Sequence, residues 1–324
     1  FPPVATTRYM IAGEMDWVSL ADGSKEVSHI TKPACSRDAG VVIANGLVYT
    51  FPKRCICWPM LRDYAALAPA GGQDVPAAGE QKFQFERGPG KLPVTAAPED
   101  ASNDWPCYRH DAFRSAGTTA ALPRELKVLW TTQFGGWPDG PIARDWRENY
   151  FSRSPVGPPV AAGGLVYVAR PSAHEVVAMD AGSGAVRWRF TANGPVDTAP
   201  TIHRGLCMFG CKSGWVYALR ADDGLLVWRL RVAPLDRRIV AYGQLESPWP
   251  VPGSVLADGE AVYLAAGRQP FADGGVVVMA IDPLGATIRW TARLDSLPQK
   301  DFYHSSGMDF ENFDLLHREG DAVA

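Results

Sequence analysis

Short apolar runs separated by turn residues recur along this chain, and three of them share one pattern. Residues 176–188, 216–228 and 278–290 each contain an apolar run, a tight turn with glycine, and a second run that ends in tryptophan. Such a pattern predicts two β-strands joined by a tight turn. The positions that define the motif are Asp180, Gly184, Trp188, Gly224, Trp228, Asp282 and Trp290.

A second pattern precedes each copy. Residues 159–167, 200–208 and 255–263 place a Gly-Gly, Arg-Gly or Asp-Gly pair between two short apolar runs, and residues 41–49 do the same with Asn-Gly. These pairs are typical of two-residue hairpin turns. One repeat therefore contains four strands in sequence.

The repeat length predicts the fold class. Trp188 and Trp228 are 40 residues apart, which is the length of one four-stranded propeller blade. We therefore expect an all-β protein, a β-propeller of four-stranded antiparallel blades in which the tryptophan packs between neighbouring blades. Seven or eight blades complete such a ring, and about four or five are expected here. The copies drift: Arg220 replaces the Asp of one turn, and Gly285 stands one place early in another.

The spacing also predicts how the chain is divided. Residues 1–70 contain weaker copies of the pattern, expected to be degenerate blades. Residues 71–103 are rich in Ala, Pro, Gly and Glu, and no regular element is predicted there. Residues 104–324 hold the clear blades, with insertions near 132–155 and 232–252. Both chain ends are expected to be cuts through a longer protein.

Composition narrows the possible partners. The formal net charge is −3 and no basic run is present, so a nucleic-acid partner is not expected. The longest apolar runs have the length of strands, which predicts no membrane-spanning segment. Among six cysteines there is no Cys-x-x-Cys pair, and no metal site is predicted. A disulfide of Cys35 with Cys55 or Cys57 is expected, while metal ligation by Cys55 and Cys57 is the alternative. Cys207 stands at an apolar position of the repeat and is expected to be a buried free thiol.

The motif Ala-x-Asp-x-x-x-Gly-x-x-x-Trp resembles the repeat of PQQ-like propellers, the family that includes quinoprotein alcohol dehydrogenases. The resemblance covers about residues 150–300 and, more loosely, 1–70. The chain is similar to large PQQ-binding-like propeller proteins of planctomycete-type bacteria. Residues 104–111, with Gly117, Leu122 and Trp130, look like the segment that often opens such propellers. The resemblance implies a periplasmic or extracellular bacterial protein.

Quinone chemistry in that family depends on further residues. The resemblance implies a PQQ cofactor held against a ring of two adjacent cysteines, with Ca²⁺ on Glu, Asn and Asp oxygens. This sequence contains no adjacent cysteines and no matching calcium segment, so no cofactor is evident. We expect a non-catalytic scaffold that binds a ligand or assembles proteins. The first alternative is part of a PQQ-dependent dehydrogenase, and the second is a polysaccharide or sulfated-glycan module.

The insertions are the predicted place for a ligand. Arg and Trp are enriched at binding hot spots, and both insertions concentrate them at one expected propeller face. A small molecule, a glycan or a protein is the expected partner there, and packing of the insertions onto the propeller is the alternative role. The candidate ligand-binding residues are Trp137, Arg144, Trp146, Arg147, Arg237, Arg238, Trp249 and Arg268.

Overall fold

The computed structural model describes residues 3–13, 15–27, 31–32, 40–51, 65–69, 81–93, 104–121, 124–135, 155–241, 244–268, 273–294 and 316–324. Their regular structure is almost entirely β-strand. The first eight strands are β1 (Val4–Ala5), β2 (Tyr9–Ala12), β3 (Asp16–Ser19), β4 (Lys25–Val27), β5 (Val41–Ala44), β6 (Leu47–Thr50), β7 (Ala65–Leu67) and β8 (Gln84–Arg87).

The strands of the clear repeats follow. They are β9 (Val160–Ala162), β10 (Leu165–Arg170), β11 (Glu175–Asp180), β12 (Val186–Thr191), β13 (Thr201–His203), β14 (Leu206–Cys211), β15 (Trp215–Arg220), β16 (Leu226–Arg231), β17 (Ile239–Ala241), β18 (Gln244–Glu246), β19 (Leu256–Asp258), β20 (Ala261–Ala266), β21 (Val276–Ile281), β22 (Ile288–Leu294), β23 (Arg318–Glu319) and β24 (Ala322–Val323). A 3-10 turn, Pro171–Ala173, joins β10 to β11.

Three sets of four antiparallel strands match the three sequence repeats. We name them blade C (β9–β12), blade D (β13–β16) and blade E (β19–β22), and in each the strands pair in chain order. The register shifts at the same place in all three, after the alanine of the third strand: Ala178, Ala218 and Ala280. The structure is therefore a β-propeller built of four-stranded blades, as the repeat predicts.

Blade D shows why its strands read as continuous apolar runs. Every residue of β14 is buried. Phe209 and Tyr217 pack with side chains of blade C, whereas Met208 and Val216 pack with side chains of blade E. A sheet covered on both faces loses the alternation of apolar and polar residues.

Tryptophans link consecutive blades. At three junctions the indole N–H donates to a backbone carbonyl oxygen in the motif turn of the next blade. The acceptor is the residue directly after the Asp or Arg of that turn. The three bonds, each 2.9 Å long, join Trp130 to Ala181, Trp188 to Ala221, and Trp228 to Pro283. Trp228 is 1% exposed, but Trp290, at the same position of blade E, is 44% exposed.

Two smaller sheets come from the N-terminal region. We name them blade A (β1–β4) and blade B (β5–β7). Ile11 and Met15 of blade A form one buried cluster with Val41 of blade B. Strand β7 contacts β17 of the insertion between blades D and E. Within segment 71–103, for which the sequence predicts no regular element, β8 pairs with the outer strand of blade D.

Residues 104–114 cross the inner edges of the blades. Trp105 pairs with Ala161 of β9, and the Ile202 N–H of β13 donates to the Pro106 carbonyl at 2.7 Å. Hairpin β23–β24 lies nearby, because the Arg318 N–H donates to the Ala112 carbonyl at 2.8 Å. Its sequence, Arg-Glu-Gly-Asp-Ala-Val, resembles Ala-Asp-Gly-Glu-Ala-Val in the first hairpin of blade E.

Candidate functional site

The turn between β14 and β15 is held between two chain connections. The Lys212 N–H donates to the Pro195 carbonyl at 2.9 Å, and the Lys212 carbonyl accepts from the Ser247 N–H at 2.8 Å. Gly214 has φ +85°, and a Cβ there would lie 2.5 Å from the Ala233 Cβ. Only glycine fits such a turn, and the turn therefore fixes the position of Lys212.

Four charged side chains meet at this turn, and we name them the charge cluster: Asp197, Lys212, Glu246 and Arg268. The Lys212 Nζ lies 3.2 Å from Asp197 Oδ2 and 3.9 Å from Glu246 Oε2. Arg268 bonds the other oxygen of Glu246. The Lys212 and Glu246 side chains are 6% and 1% exposed. Buried charges of this kind persist only when they are paired.

The electrostatics of the cluster are balanced. Burial lowers the pKa of Lys212, but the carboxylates of Asp197 and Glu246 raise it by more, so the pKa lies above its ordinary value of 10.5. Lys212 is therefore charged at neutral pH. Lys212 and Arg268 thus face the carboxyl groups of Asp197 and Glu246.

Three buried oxygen atoms in or beside the cluster have no hydrogen-bond partner among the described residues. They are Asp197 Oδ1, Thr198 Oγ1 and Glu246 Oε2. Buried polar atoms are nearly always hydrogen-bonded in folded proteins. The hydrogen bonding of the cluster is therefore incomplete within the part of the chain that the structure describes.

A polar group adjoins the cluster on the side of blade C. The Tyr217 hydroxyl donates to Asn193 Oδ1 at 2.7 Å, and Ser213 bonds the same oxygen. The Ser213 hydroxyl also lies 3.0 Å from the Cys211 Sγ. Burial raises the pKa of Cys211 to about 11, so this thiol is protonated and unreactive at neutral pH. Cys207 is a fully buried free thiol, which confirms the prediction for that position.

The predicted ligand-binding residues have different outcomes. Arg268 belongs to the charge cluster. Arg238 lies near the surface with its Nε 3.8 Å from Asp236 Oδ1, while Arg237 is half-buried. Trp137, Arg144, Trp146 and Arg147 lie outside the described residues, as do Cys35, Cys55 and Cys57 of the predicted disulfide.

Trp249 does not present a ring to a ligand. It is 1% exposed, and its indole N–H donates to the Asp273 carbonyl at 2.6 Å. Its large apolar ring is used for packing the insertion onto the blades, which is the alternative role considered for the insertions. Replacement of Trp249 by alanine would therefore destabilise the fold rather than remove a binding contact.

Lys212 and Asp197 were not among the predicted site residues. Lys212 is the only charged residue between Leu206 and Leu219, and a lone charge in a buried strand pair is a signal that could have identified it. The sequence does not show that Lys212 contacts Asp197 or Glu246, because these two residues lie in the segments that join blade C to blade D and blade D to blade E.

The cluster does not fit a calcium ion. Ca²⁺ requires six to eight oxygen ligands, but both carboxylates here are already engaged by Lys212 and Arg268, whose charges repel a cation. Among the described residues, no group of three or more His, Cys, Asp or Glu is arranged to hold a metal ion.

Comparisons with known proteins identify the family. A family model described as outer membrane protein assembly factor BamB matches residues 120–305, more than half of the chain. No protein of curated function matches. No helix in the described part of the chain is long and apolar enough to cross a membrane.

Solved structures similar to this chain include BamB from Moraxella catarrhalis, at 19% identity over 40% of this chain and 34% of that one, with a TM-score of 0.30. A europium-containing methanol dehydrogenase is 16% identical over 62% of this chain and 34% of that one, with a TM-score of 0.45. Quinohemoprotein alcohol dehydrogenase from Comamonas testosteroni is 15% identical over 61% of this chain and 28% of that one, with a TM-score of 0.42. The chain thus spans about a third of the length of these structures.

Proposed function

The chain belongs to the PQQ-like propeller family whose model is described as outer membrane protein assembly factor BamB, and we propose that it is a non-catalytic scaffold. It binds a partner at the end of the blades that carries the charge cluster. The description of the family model supports a role in protein assembly and a location outside the cytoplasm, periplasmic or extracellular.

The observation that carries this proposal is the pairing of Lys212 with Asp197 and Glu246. The carboxylates of this blade end are neutralised by side chains of the protein itself. A dehydrogenase of the quinoprotein type needs carboxylate and amide oxygens for its cation and a carboxylate for its base. The charge cluster is instead a set of buried ion pairs that holds this end of the blades rigid, which suits a scaffold for recognition better than catalysis.

The test compares catalysis with binding. Purified protein is mixed with PQQ and Ca²⁺, and thermal unfolding and alcohol-dependent dye reduction are followed. We expect an unchanged midpoint and no dye reduction. A raised midpoint together with dye reduction would establish the dehydrogenase instead.

Binding is tested by site-specific photo-crosslinking in cells of the source organism. A photoreactive residue at Arg238, beside the predicted ligand face, should give one discrete protein adduct. The same residue at the exposed Lys127 is the matched control and should give none. Equal adducts at both positions, or none at Arg238, would count against the scaffold. A sulfated-glycan array that retains the protein, but not its Arg237→Glu/Arg238→Glu variant, would favour the glycan module.

A further inference from the structure

Residues 81–93 lie along the outer edge of blade D as a bound strand. Strand β8 pairs antiparallel with β16, with Arg87 opposite Trp228 and Phe85 opposite Leu230. The Gly88 and Gly90 N–H groups extend the pairing by donating to the Val227 and Leu226 carbonyls at 2.9 and 2.8 Å. The segment thus adds a fifth strand to a four-stranded blade.

Glycine is required where the segment crosses β16. A Cβ at position 88 would overlap the carbonyl oxygen of Leu226, and a Cβ at position 90 would lie 2.8 Å from it. No side chain is accommodated so close to backbone atoms, so this edge of blade D selects for glycine at two alternate positions of its ligand.

Side chains of the segment fit both neighbouring blades. Phe83 packs against the apolar cluster between blades D and E. The Gln81 side chain donates to the Val232 carbonyl at 2.9 Å and accepts from Arg293 of blade E at 3.1 Å. Glu86 accepts from Arg229 Nε at 2.7 Å. The outer edge of blade D therefore contacts one apolar, one acidic and two glycine residues of the segment, in the pattern Phe-x-x-Glu-x-Gly-x-Gly.

The outer strand of blade C shares the Trp-Arg pair of β16, yet no strand is added to it among the described residues. Its Arg189 is the counterpart of Arg229, but Arg189 is already paired with Glu175 of its own blade at 3.2 Å. In blade D the residue at the place of Glu175 is Trp215, and the Arg229 guanidinium lies 4.5 Å above the Trp215 ring. Arg229 is therefore left to pair with a carboxylate of an added strand.

We propose that the groove along β16, between blades D and E, is a binding site for an extended protein segment, and that residues 81–93 occupy it in cis. The partner it fits is a strand of another protein carrying Phe-x-x-Glu-x-Gly-x-Gly. Recognition would combine main-chain pairing with specific pockets, as in other strand-addition complexes. The inference rests on the proposed scaffold function and names a partner class for it.

Competition between the cis segment and a peptide tests the site. The probe is a fluorescent synthetic peptide of residues 81–93, added to the full chain and to its Phe83→Ala/Glu86→Ala variant, which weakens the cis strand. A tethered strand competes at a high effective concentration, so the variant should bind the peptide at least about tenfold more tightly than the unaltered chain. Adding Arg229→Glu should abolish this binding, and a Glu86→Lys peptide should restore it.

Arg189→Glu in blade C is the matched control and should leave peptide binding unchanged. Hydrogen exchange of the unaltered chain supplies an independent readout: the Gly88 and Gly90 amides should exchange faster than those of β14 and β15. A folded cis-weakened variant that does not bind the peptide would overturn the proposal. So would equal protection of Gly88 and the central strands, since β8 would then be a permanent part of the blade. Neither result depends on PQQ or on the Arg238 adduct, so the two proposals fail separately.

Discussion

The motif glycines of blades C and D are required for two separate reasons. Gly184 and Gly224 have φ values of +72° and +74°, and a Cβ at either position would lie 2.6 Å from the ring of the docked tryptophan. The third copy differs: Ala286, not Gly285, adopts the positive φ of 51°. The turn therefore keeps its length, and Gly285 is not the counterpart of the other two glycines.

This difference predicts unequal effects of the same substitution. Gly224→Ala combines a left-handed conformation with a clash against Trp188, and we expect it to lower the free energy of unfolding by about 2–4 kcal/mol. A Cβ at position 285 would meet only Thr287 Oγ1, at an ordinary contact distance of 3.6 Å. Gly285→Ala should therefore change the free energy of unfolding by less than about 0.5 kcal/mol. Urea denaturation of both variants provides the measurement, and equal losses would contradict this account of the turn.

Lys212 provides a prediction that depends on pH. Lys212→Met leaves the buried carboxylate of Asp197 without its ion pair, so we expect a loss of about 3 kcal/mol at pH 7. Because the pKa of Lys212 is raised in the folded protein, the stabilisation by its charge is complete below pH 10.5 and decreases as pH rises through the folded pKa. The difference in free energy of unfolding between the unaltered protein and Lys212→Met should therefore shrink in alkaline solution.

Urea unfolding at pH 7, 9 and 11 measures this difference, with the exposed Lys127→Met as control. A difference that stays constant across this range would show that Lys212 acts through packing rather than charge.

At the scale of strands and blades, sequence periodicity was sufficient to predict the architecture. The Val-x-Ala-x-Asp and Trp runs identify the third and fourth strands because both are local patterns. Strand β8 could not be predicted in this way, because its partner β16 lies about 140 residues away. The contact of Arg229 with Glu86 is equally non-local, and Trp215 stands where blade C has Glu175. Of the charge cluster, only Arg268 was among the predicted site residues, because Asp197, Lys212 and Glu246 come from three segments that are distant in sequence.

The blade junctions predict a contrast between two equivalent tryptophans. Trp228→Phe removes an indole N–H and leaves the Pro283 carbonyl without its donor, so we expect the free energy of unfolding to fall by about 2–3 kcal/mol. Trp290→Phe, at a position 44% exposed, should cost less than about 1 kcal/mol. Thermal or urea unfolding distinguishes the two, and a larger loss at Trp290 would mean that its exposed ring is packed in solution.

At the scale of the whole molecule, Arg114 joins segments that are far apart in sequence. Its buried guanidinium donates to the Tyr108 carbonyl at 2.8 Å, to the Leu316 carbonyl at 3.2 Å and to the Ser254 carbonyl at 3.3 Å. Planar Arg reaches several acceptors in fixed directions, whereas Lys presents a single point charge. Arg114 thus contacts residues 104–114, the connection that leads into blade E and the residue two before the last hairpin.

Arg114→Lys keeps the charge but cannot reach all three carbonyls, so we expect a loss of about 3 kcal/mol in the free energy of unfolding. The Arg318 amide, which donates to the Ala112 carbonyl, should exchange its hydrogen faster because the last hairpin is less firmly held. Urea unfolding and hydrogen exchange measure the two effects, and the exposed Arg124→Lys is the control. If Arg114→Lys were as stable as the control while the Arg318 amide stayed protected, the hairpin would be held by its own contacts with blade E, such as that of Arg318 with Asp258, and Arg114 would not be the link between them.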